Sequence, residues 1–209
     1  MSNPLVLFGV PIYSYDKYIG SSIHDTSAEL KDCLENEGRN FISKNTCVLD
    51  LRNYKSIRER ILEGLKEYTS NILCIADSVK FYLTQSWLNI NPPGTHHHRH
   101  IHPNALISGV YYIDVEESAS ITFASSNATS RYGNTSFSLP LQKYNIWNSL
   151  VWRQAVRTNE IIYFPSSLEH SVDENESNKE RISLAFNVFF TGTIGEPQGL
   201  NVATIGNYI

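Results

Sequence analysis

The chain has 209 residues, of which 41% are hydrophobic and 11% aromatic, and its formal net charge at pH 7 is −4. This composition is typical of one folded domain and excludes a chain that is disordered over most of its length. The sequence has no basic tract, which excludes a surface that tracks nucleic-acid phosphates.

The first 80 residues predict a strand followed by supporting helices. Residues 4–13 alternate loosely between apolar and polar side chains and lack the basic flank of a signal peptide. Residues 26–37 predict a short helix that ends before Gly38. A second helix is predicted from Ser56, because Ser56 and Glu59 have capping-box spacing and apolar residues then recur at helical intervals.

Two features concern the environment of the protein. No apolar stretch approaches the roughly 20 residues that a membrane-spanning helix needs. Cys33, Cys47 and Cys74 are odd in number, widely spaced and without zinc-like spacing, which favours a reducing compartment. We therefore expect a cytoplasmic protein with no membrane partner.

Strands are predicted to dominate the remainder of the chain. Five segments are short, rich in β-branched and aromatic residues, and bounded by turn formers. They are residues 81–90, 105–114, 119–123, 160–165 and 181–190. This pattern predicts an antiparallel sandwich or barrel with helices on one face.

We expect one domain over residues 1–209. In it, residues 1–80 support a β core at residues 81–190, and a glycine-rich tail follows at residues 191–209. The tail is expected to pack either on this chain or on a neighbouring copy, so the prediction leaves open whether the protein forms a homo-oligomer.

Five of the seven histidines lie between Gly94 and Pro103. In a strand, residues two apart share a face, so His100 and His102 can reach one metal ion while Ile101 points into the core. Neutral imidazole suits iron, zinc, copper and nickel. The preceding histidines, residues 96–98, are predicted to lie in a solvated loop or at the entrance of the same site.

A third ligand must come from elsewhere in the chain. His170 follows the predicted strand at residues 160–165 and a short turn, and it is better placed than His24, which we expect to be structural or solvated. Arg181 opens the next strand, and Ser183 shares its face. An arginine beside a hydroxyl can grip a carboxylate; the alternative is a surface arginine paired with a nearby acid.

These residues occur in an order that resembles a known family. His100-x-His102, then His170, then Arg181-x-Ser183 is similar to the iron(II)- and 2-oxoglutarate-dependent dioxygenases, whose usual pattern is His-x-Asp/Glu, a distal His and a later Arg. The blocks SWLNINPPG, HIHPNALISGVYYI, FPSSLEHSV and RISLAFN resemble its small oxygenase branch found in phages and marine bacteria. The resemblance covers residues 81–190.

The resemblance implies a mainly β fold with flanking helices around a double-stranded β-helix, the jelly-roll or cupin-like core. It also implies two cofactors, Fe(II) and 2-oxoglutarate. Carried over position by position, the iron ligands are His100, His102 and His170.

The 2-oxoglutarate ligands implied by the resemblance are Arg181, Ser183 and Tyr112. For Tyr112 the alternative is an ordinary core aromatic residue. Trp87, Asn89 and Asn187 lie in family-like blocks without an assigned role.

One position departs from the family pattern. His102 stands where the family has a carboxylate, so the implied ligand set is three neutral nitrogens. Asp114 and Glu169 are the nearest acids in sequence, but neither has a spacing suited to the site. The loss of one negative ligand is expected to weaken divalent-metal binding and leave the iron more electrophilic.

The resemblance implies an oxygenase that hydroxylates a C–H bond of a small-molecule or peptide substrate and releases succinate and CO2. Two alternatives are a cupin-like metal enzyme that does not use 2-oxoglutarate and a non-enzymatic β-fold binding module. The long polar and aromatic segment at residues 125–159 is predicted to form either a wall of the substrate site or additional strands.

Overall fold

The computed structural model describes residues 9–17, 31–125 and 140–206. His24, the first half of the predicted strand at 4–13 and the start of the predicted helix at 26–37 lie outside these ranges. Among the described residues, none of the helices has the length and apolar character needed to cross a bilayer.

The helical part of the described chain lies between residues 48 and 72, apart from one 3-10 turn, Pro197–Gly199, before the last strand. Two single 3-10 turns, Val48–Asp50 and Arg52–Tyr54, lead into the helix α1 (Lys55–Glu67), and a π-helical turn at Tyr68–Ile72 follows. Three apolar residues of α1 spaced four apart fall on one face because of the helical period, and that face is buried. They are Ile57, Ile61 and Leu65.

Apart from these helical segments, the regular secondary structure of the described residues consists of strands. In chain order they are β1 (Tyr13–Tyr15), β2 (Cys33–Glu35), β3 (Phe41–Ser43), β4 (Lys80–Asn91), β5 (His97–His100), β6 (Ile107–Asp114), β7 (Ser120–Ala124), β8 (Val151–Ala155), β9 (Ile161–Pro165), β10 (Glu169–Val172), β11 (Arg181–Ile194) and β12 (Ala203–Ile205).

The strands make two antiparallel sheets. The major sheet has the order β1-β9-β6-β11-β4-β3-β2, with β12 paired to the end of β11, and the minor sheet has the order β5-β10-β7-β8. From β4 onward the chain passes repeatedly between the two sheets, so strands distant in sequence become neighbours. This is the predicted jelly-roll core, and it places β5 and β10, from two histidine-containing segments, side by side.

Alternation along the strands creates two apolar layers. On β6, Tyr111 packs in the outer layer with the apolar face of α1, whereas Val110 and Tyr112 lie in an inner layer with Ile121 and Phe123 of the minor sheet. Successive side chains of a strand point to opposite faces, so one strand serves both layers. The inner layer is therefore the space between the sheets, and polar side chains that enter it are removed from water.

Three local predictions for the N-terminal part are wrong. The segment predicted to end a helix at residue 37 contains β2, which pairs with β3; this tertiary pairing overrides a weak local helical preference. The capping box at Ser56 is not formed, because the 3-10 turn before α1 places the helix start at Tyr54 and no side chain caps it. Of the strand predicted at 4–13, residues 9–12 are irregular and β1 begins at Tyr13.

The described part of the C-terminal tail packs on its own chain. Strand β11 continues beyond the predicted end at residue 190, and β12 folds back onto it with Gly192 opposite Ile205. Gly192 has a φ of 126° and a side chain there would overlap the main chain of Ser78, so this close approach requires glycine.

Candidate functional site

The fold brings three of the predicted site histidines together. His100 ends β5, His170 lies on β10 directly opposite it, and His102 follows β5 by two residues. His100 Nε2 lies 3.1 Å from His102 Nε2, and one ring nitrogen from each of the three residues falls within 4.8 Å of the others. Two nitrogens bound about 2.1 Å from one metal ion lie about 3–3.4 Å apart, so this spacing suits a common ion.

The geometry differs from the prediction in one respect. The strand ends at His100, so His100 and His102 do not share a strand face, and Ile101 is 44% exposed instead of buried in the core. His102 turns inward because its main-chain N–H donates to the Ser166 carbonyl at 3.0 Å. The two imidazoles therefore meet through a turn after the strand.

Each of the three histidines has an oxygen next to its Nδ1 atom. His100 Nδ1 lies 2.8 Å from the His98 carbonyl, and His170 Nδ1 lies 3.0 Å from the Leu168 carbonyl. His102 Nδ1 lies 2.6 Å from Asn187 Oδ1. A carbonyl oxygen can only accept, so each Nδ1 carries the proton. All three Nε2 lone pairs are therefore available to a metal ion.

Burial keeps these imidazoles neutral. His102 and His170 are 8% and 4% exposed. Burial lowers the pKa of His170 to about 3 and that of His102 to about 4, and it also lowers the pKa of His100. Because neutral imidazole is the form that binds metal, the group is ready to bind at neutral pH without losing protons.

Of the three histidines before His100, His97 packs against His100, whereas the His98 side chain is 40% exposed. The His97 ring stacks on the His100 ring at 4.5 Å, and His98 forms a second group of three with them, with nitrogens within 4.8 Å. His96 is exposed as predicted. The second group shares His100 with the first, so it extends the same site.

Arg181 and Tyr112 form a buried polar pair on the inner face of the major sheet. The Arg181 guanidinium carbon lies 5.4 Å from the centre of the Tyr112 ring, and the two residues are 7% and 0% exposed. Arg181 donates through Nη1 to the Ser120 carbonyl at 2.7 Å. The two side chains interact with each other electrostatically, but within the described part of the chain Arg181 Nε and the Tyr112 hydroxyl have no partner at hydrogen-bond geometry.

Ser183 faces the same space. It pairs with Tyr112 on one side and with Asn89 on the other, and directly paired residues of antiparallel strands share a face. Asn91 pairs in the same way with Arg181. Asn89 Oδ1 and Asn91 Nδ2 are also buried without a partner among the described residues.

Buried polar atoms are normally hydrogen-bonded, so this set marks a place for a polar ligand. The alternative for Arg181, a surface residue paired with Glu180 or Asp173, is not what is observed, since Arg181 is 7% exposed and Asp173 pairs with Arg153. The strand register and the unpaired amide atoms implicate Asn89 and Asn91, to which sequence reasoning had assigned no role. The sequence shows that Asn89 and Asn91 are two residues apart, a spacing that places them on one strand face. Their pairing with Ser183 and Arg181 is visible only in the structure.

The polar pair and the histidines lie within electrostatic reach of each other. The pKa of His97 is lowered to about 3 by burial, by the neighbouring histidines and by the positive charge of Arg181. Neither histidine group contains a carboxylate among the described residues, and Asp114 is exposed at the end of β6. The site thus has neutral nitrogen donors at one end and a guanidinium at the other, with the Glu37 carboxylate 3.6 Å from His98 Nδ1 at its edge.

Such a site, in a jelly-roll core, defines a class of metal- and anion-binding enzymes, and comparison with known proteins gives the family. Residues 85–187 match the family model "Putative 2OG-Fe(II) oxygenase". This region of the chain belongs to the 2OG-Fe(II) oxygenases. A search of curated protein sequences finds no match.

Solved structures share the fold at low sequence identity. HygX from Streptomyces hygroscopicus with nickel and 2-oxoglutarate bound is 11% identical, with a TM-score of 0.57 over 86% of this chain and 82% of that chain. A Pseudomonas putida prolyl-4-hydroxylase is 12% identical, with a TM-score of 0.53 over 85% and 92%. A Burkholderia pseudomallei oxidoreductase of the 2OG-Fe(II) oxygenase family is 10% identical, with a TM-score of 0.55 over 85% and 83%.

Proposed function

We propose that this chain is an Fe(II)- and 2-oxoglutarate-dependent oxygenase that hydroxylates a C–H bond of its substrate and releases succinate and CO2. The observation that carries the proposal is the juxtaposition of three convergent Nε2 lone pairs with a buried arginine and tyrosine whose polar atoms lack partners. Family membership supplies the reaction class.

In this proposal His100, His102 and His170 hold the iron. Bound iron and 2-oxoglutarate together would supply the oxygen chemistry. The chain contributes three oriented neutral donors and an apolar surround, in which the Phe164 ring lies 4.7 Å from His170 and the Trp87 ring 5.5 Å from His102. Aromatic walls of this kind keep water away from the metal ligands.

Arg181, Tyr112 and Ser183 bind the carboxylate of 2-oxoglutarate that lies away from the metal. The fit rests on hydrogen-bonding capacity. A carboxylate accepts several hydrogen bonds, and Arg181 Nε and the Tyr112 hydroxyl are donors without an acceptor among the described residues. The low dielectric around these buried groups strengthens each such bond. Asn91 Nδ2 offers a further donor on the neighbouring strand.

The substrate is proposed to approach over the minor sheet. His100, His170, Phe123 and Trp152 pair successively across the strands β5, β10, β7 and β8, so these side chains share one face. Trp152 is 40% exposed and offers an apolar surface to a small molecule or peptide at the edge of the site. Strand β8 belongs to the segment at 125–159, whose residues 126–139 lie outside the described ranges.

The proposal is tested by succinate release. Wild-type protein given Fe(II), 2-oxoglutarate and air is expected to form succinate, and His170→Ala is expected to lose that activity. His96→Ala is the matched control, since it removes an exposed histidine of the same run. If wild type forms no succinate with a broad panel of small molecules and peptides, the proposed reaction is wrong.

The all-nitrogen ligand group supports one alternative. A cupin-like metal enzyme that does not use 2-oxoglutarate would also bind an ion on His100, His102 and His170. It would leave the buried donors of Arg181 and Tyr112 without an acceptor. Metal binding that is stoichiometric but insensitive to added 2-oxoglutarate would favour this alternative.

We further propose that residues 1–209 act as one domain in the cytoplasm. The support for this location is that Cys47 and Cys74 form no disulfide, as in a reducing compartment. The self-packed tail favours a monomer, and light scattering of the purified protein tests that point.

A further inference from the structure

The three histidines are held in two different ways. His100 and His170 have Nδ1 beside a main-chain carbonyl two residues earlier in sequence. His102 instead has Nδ1 beside a side chain, Asn187 Oδ1, which is 85 residues away. A main-chain carbonyl can only accept a hydrogen bond. A side-chain amide can present either its oxygen, which accepts, or its nitrogen, which donates.

We propose that Asn187 is a positioning residue that keeps His102 available as a metal ligand through Nε2. This inference rests on the proposed function, in that it takes His102 as a ligand in place of the family's usual carboxylate. Asn187 would not touch the metal itself. It would act by fixing the proton and the orientation of the His102 imidazole.

The proton positions follow from the hydrogen bonds. Ser108 Oγ donates to Asn187 Oδ1 at 2.8 Å. A hydroxyl has one proton, so Ser108 then accepts from Ser166 Oγ at 2.8 Å. Asn187 Oδ1 also lies 2.6 Å from His102 Nδ1, and Ser108 Oγ lies 2.9 Å from the same nitrogen. With the serine proton directed to Asn187, both contacts to His102 require a proton on Nδ1 and leave the lone pair on Nε2.

The opposite amide orientation would disable the ligand. If the Asn187 amide nitrogen faced His102, it would donate to Nδ1, and the imidazole proton would move to Nε2. A protonated Nε2 of a neutral ring cannot bind a metal ion. In the orientation present, Ser108 donates to Asn187 Oδ1, whereas the opposite orientation would require Ser108 to accept from the amide and to donate to Ser166 or to His102 Nδ1 instead.

The surrounding structure fixes the same arrangement. Asn187, Ser108 and Ser166 are all buried, so no water competes for these bonds. The pairing of β11 with β4 shifts register directly after Asn187, and a bulge of this kind redirects the side chain beside it. Ser166 also accepts the main-chain N–H of His102 at 3.0 Å. Ser166 thus holds the His102 turn through its main-chain carbonyl and contacts Ser108 through its hydroxyl.

The test is Co(II) affinity and the visible absorption spectrum of bound Co(II), measured by titration of metal-free protein. Asn187→Leu removes the acceptor at similar volume, and we expect the affinity to fall about 10–100-fold, approaching that of His102→Ala, with a changed Co(II) spectrum. Asn187→Asp keeps an acceptor and is expected to restore most of the loss.

A second variant guards against misfolding of Asn187→Leu. Ser108→Ala removes the hydroxyl that orients the amide and is expected to weaken Co(II) binding, whereas Ser86→Ala, which removes a buried serine that contacts the Leu49 main chain, is not. Wild-type affinity in Asn187→Leu or Ser108→Ala beside a weakened His102→Ala would overturn the positioning role and leave the proposed function intact. Wild-type affinity in His102→Ala would overturn the proposed ligand set and the inference with it.

Discussion

Arg181 lies with its guanidinium carbon 5.4 Å from the centre of the Tyr112 ring, and each residue keeps a buried polar atom without a partner in the described chain. The two residues come from neighbouring strands, β11 and β6, and meet on the inner face of the major sheet. A buried cation without an anion is costly. The pair therefore has the character of a site built for a ligand.

Removing the guanidinium should weaken 2-oxoglutarate binding much more than metal binding. Losing one partner of a buried charge pair costs at least about 2 kcal/mol, which is a factor of about 30. We expect Arg181→Ala to lose at least that in 2-oxoglutarate affinity, measured by calorimetry on Mn(II)-loaded protein without oxygen. Arg58→Ala, at a surface arginine that faces Asp50, is the control. Equal losses of metal and 2-oxoglutarate affinity would contradict the proposed binding of the 2-oxoglutarate carboxylate by Arg181.

Tyr112→Phe should separate binding from stability. The Tyr112 hydroxyl is buried without a partner in the described chain, so removing it should raise the free energy of unfolding of ligand-free protein by about 1 kcal/mol. The same variant should bind 2-oxoglutarate about tenfold more weakly, since one hydrogen bond to a carboxylate is lost. Urea unfolding and calorimetry measure the two effects.

The control for that experiment is Tyr163→Phe. The Tyr163 hydroxyl is equally buried but donates to the Ile61 carbonyl at 2.8 Å. Its removal should lower the free energy of unfolding by about 1 kcal/mol and leave 2-oxoglutarate affinity unchanged. If both tyrosine variants lose stability alike, the Tyr112 hydroxyl already has a partner in the ligand-free protein.

Metal-free protein should become less stable as the pH falls below the ordinary histidine value. The pKa values of His170 and His102 in the folded protein are about 3 and about 4, mainly because of burial, whereas both titrate near 6.5 when unfolded. Between these values the unfolded chain binds more protons, so acid favours unfolding by up to about 1.4 kcal/mol per histidine per pH unit. Urea unfolding at pH 7, 6 and 5 measures this slope.

His170→Asn should reduce that slope, since it removes one of the buried histidines whose pKa is lowered in the folded protein. Bound metal should steepen the loss, because protons compete with the ion for the same nitrogens. A free energy of unfolding that stays constant from pH 7 to pH 5 would contradict the neutral, buried state of these imidazoles.

Ile61→Ala should affect the fold and spare the site. Ile61 is fully buried in the outer layer between α1 and the major sheet, and truncation of such a side chain costs about 2–5 kcal/mol. Its layer lies on the opposite face of the sheet from the histidines. We expect a lower melting temperature with unchanged Co(II) affinity below the transition; a loss of affinity would show that the two layers are coupled.

The sequence alone predicted much of the strand pattern, helix α1 and the candidate site residues. Period-two alternation and β-branched composition are local properties, so β4, β6, β7, β9 and β11 could be located without coordinates, whereas β5, β8 and β10 could not. Local patterns failed at β2, where pairing with β3 outweighed a helical preference, and at the start of α1, where a preceding 3-10 turn replaced the expected cap.

Only the tertiary structure decided how the site is completed. The approach of His170 to His100 depends on strand pairing between β5 and β10, and the contact of Asn187 with His102 spans 85 residues. No local pattern encodes either contact, because each arises from strands that become neighbours when the sheets close. The same holds for the unpaired donors of Arg181 and Tyr112, since burial and lack of partners are properties of the packed molecule.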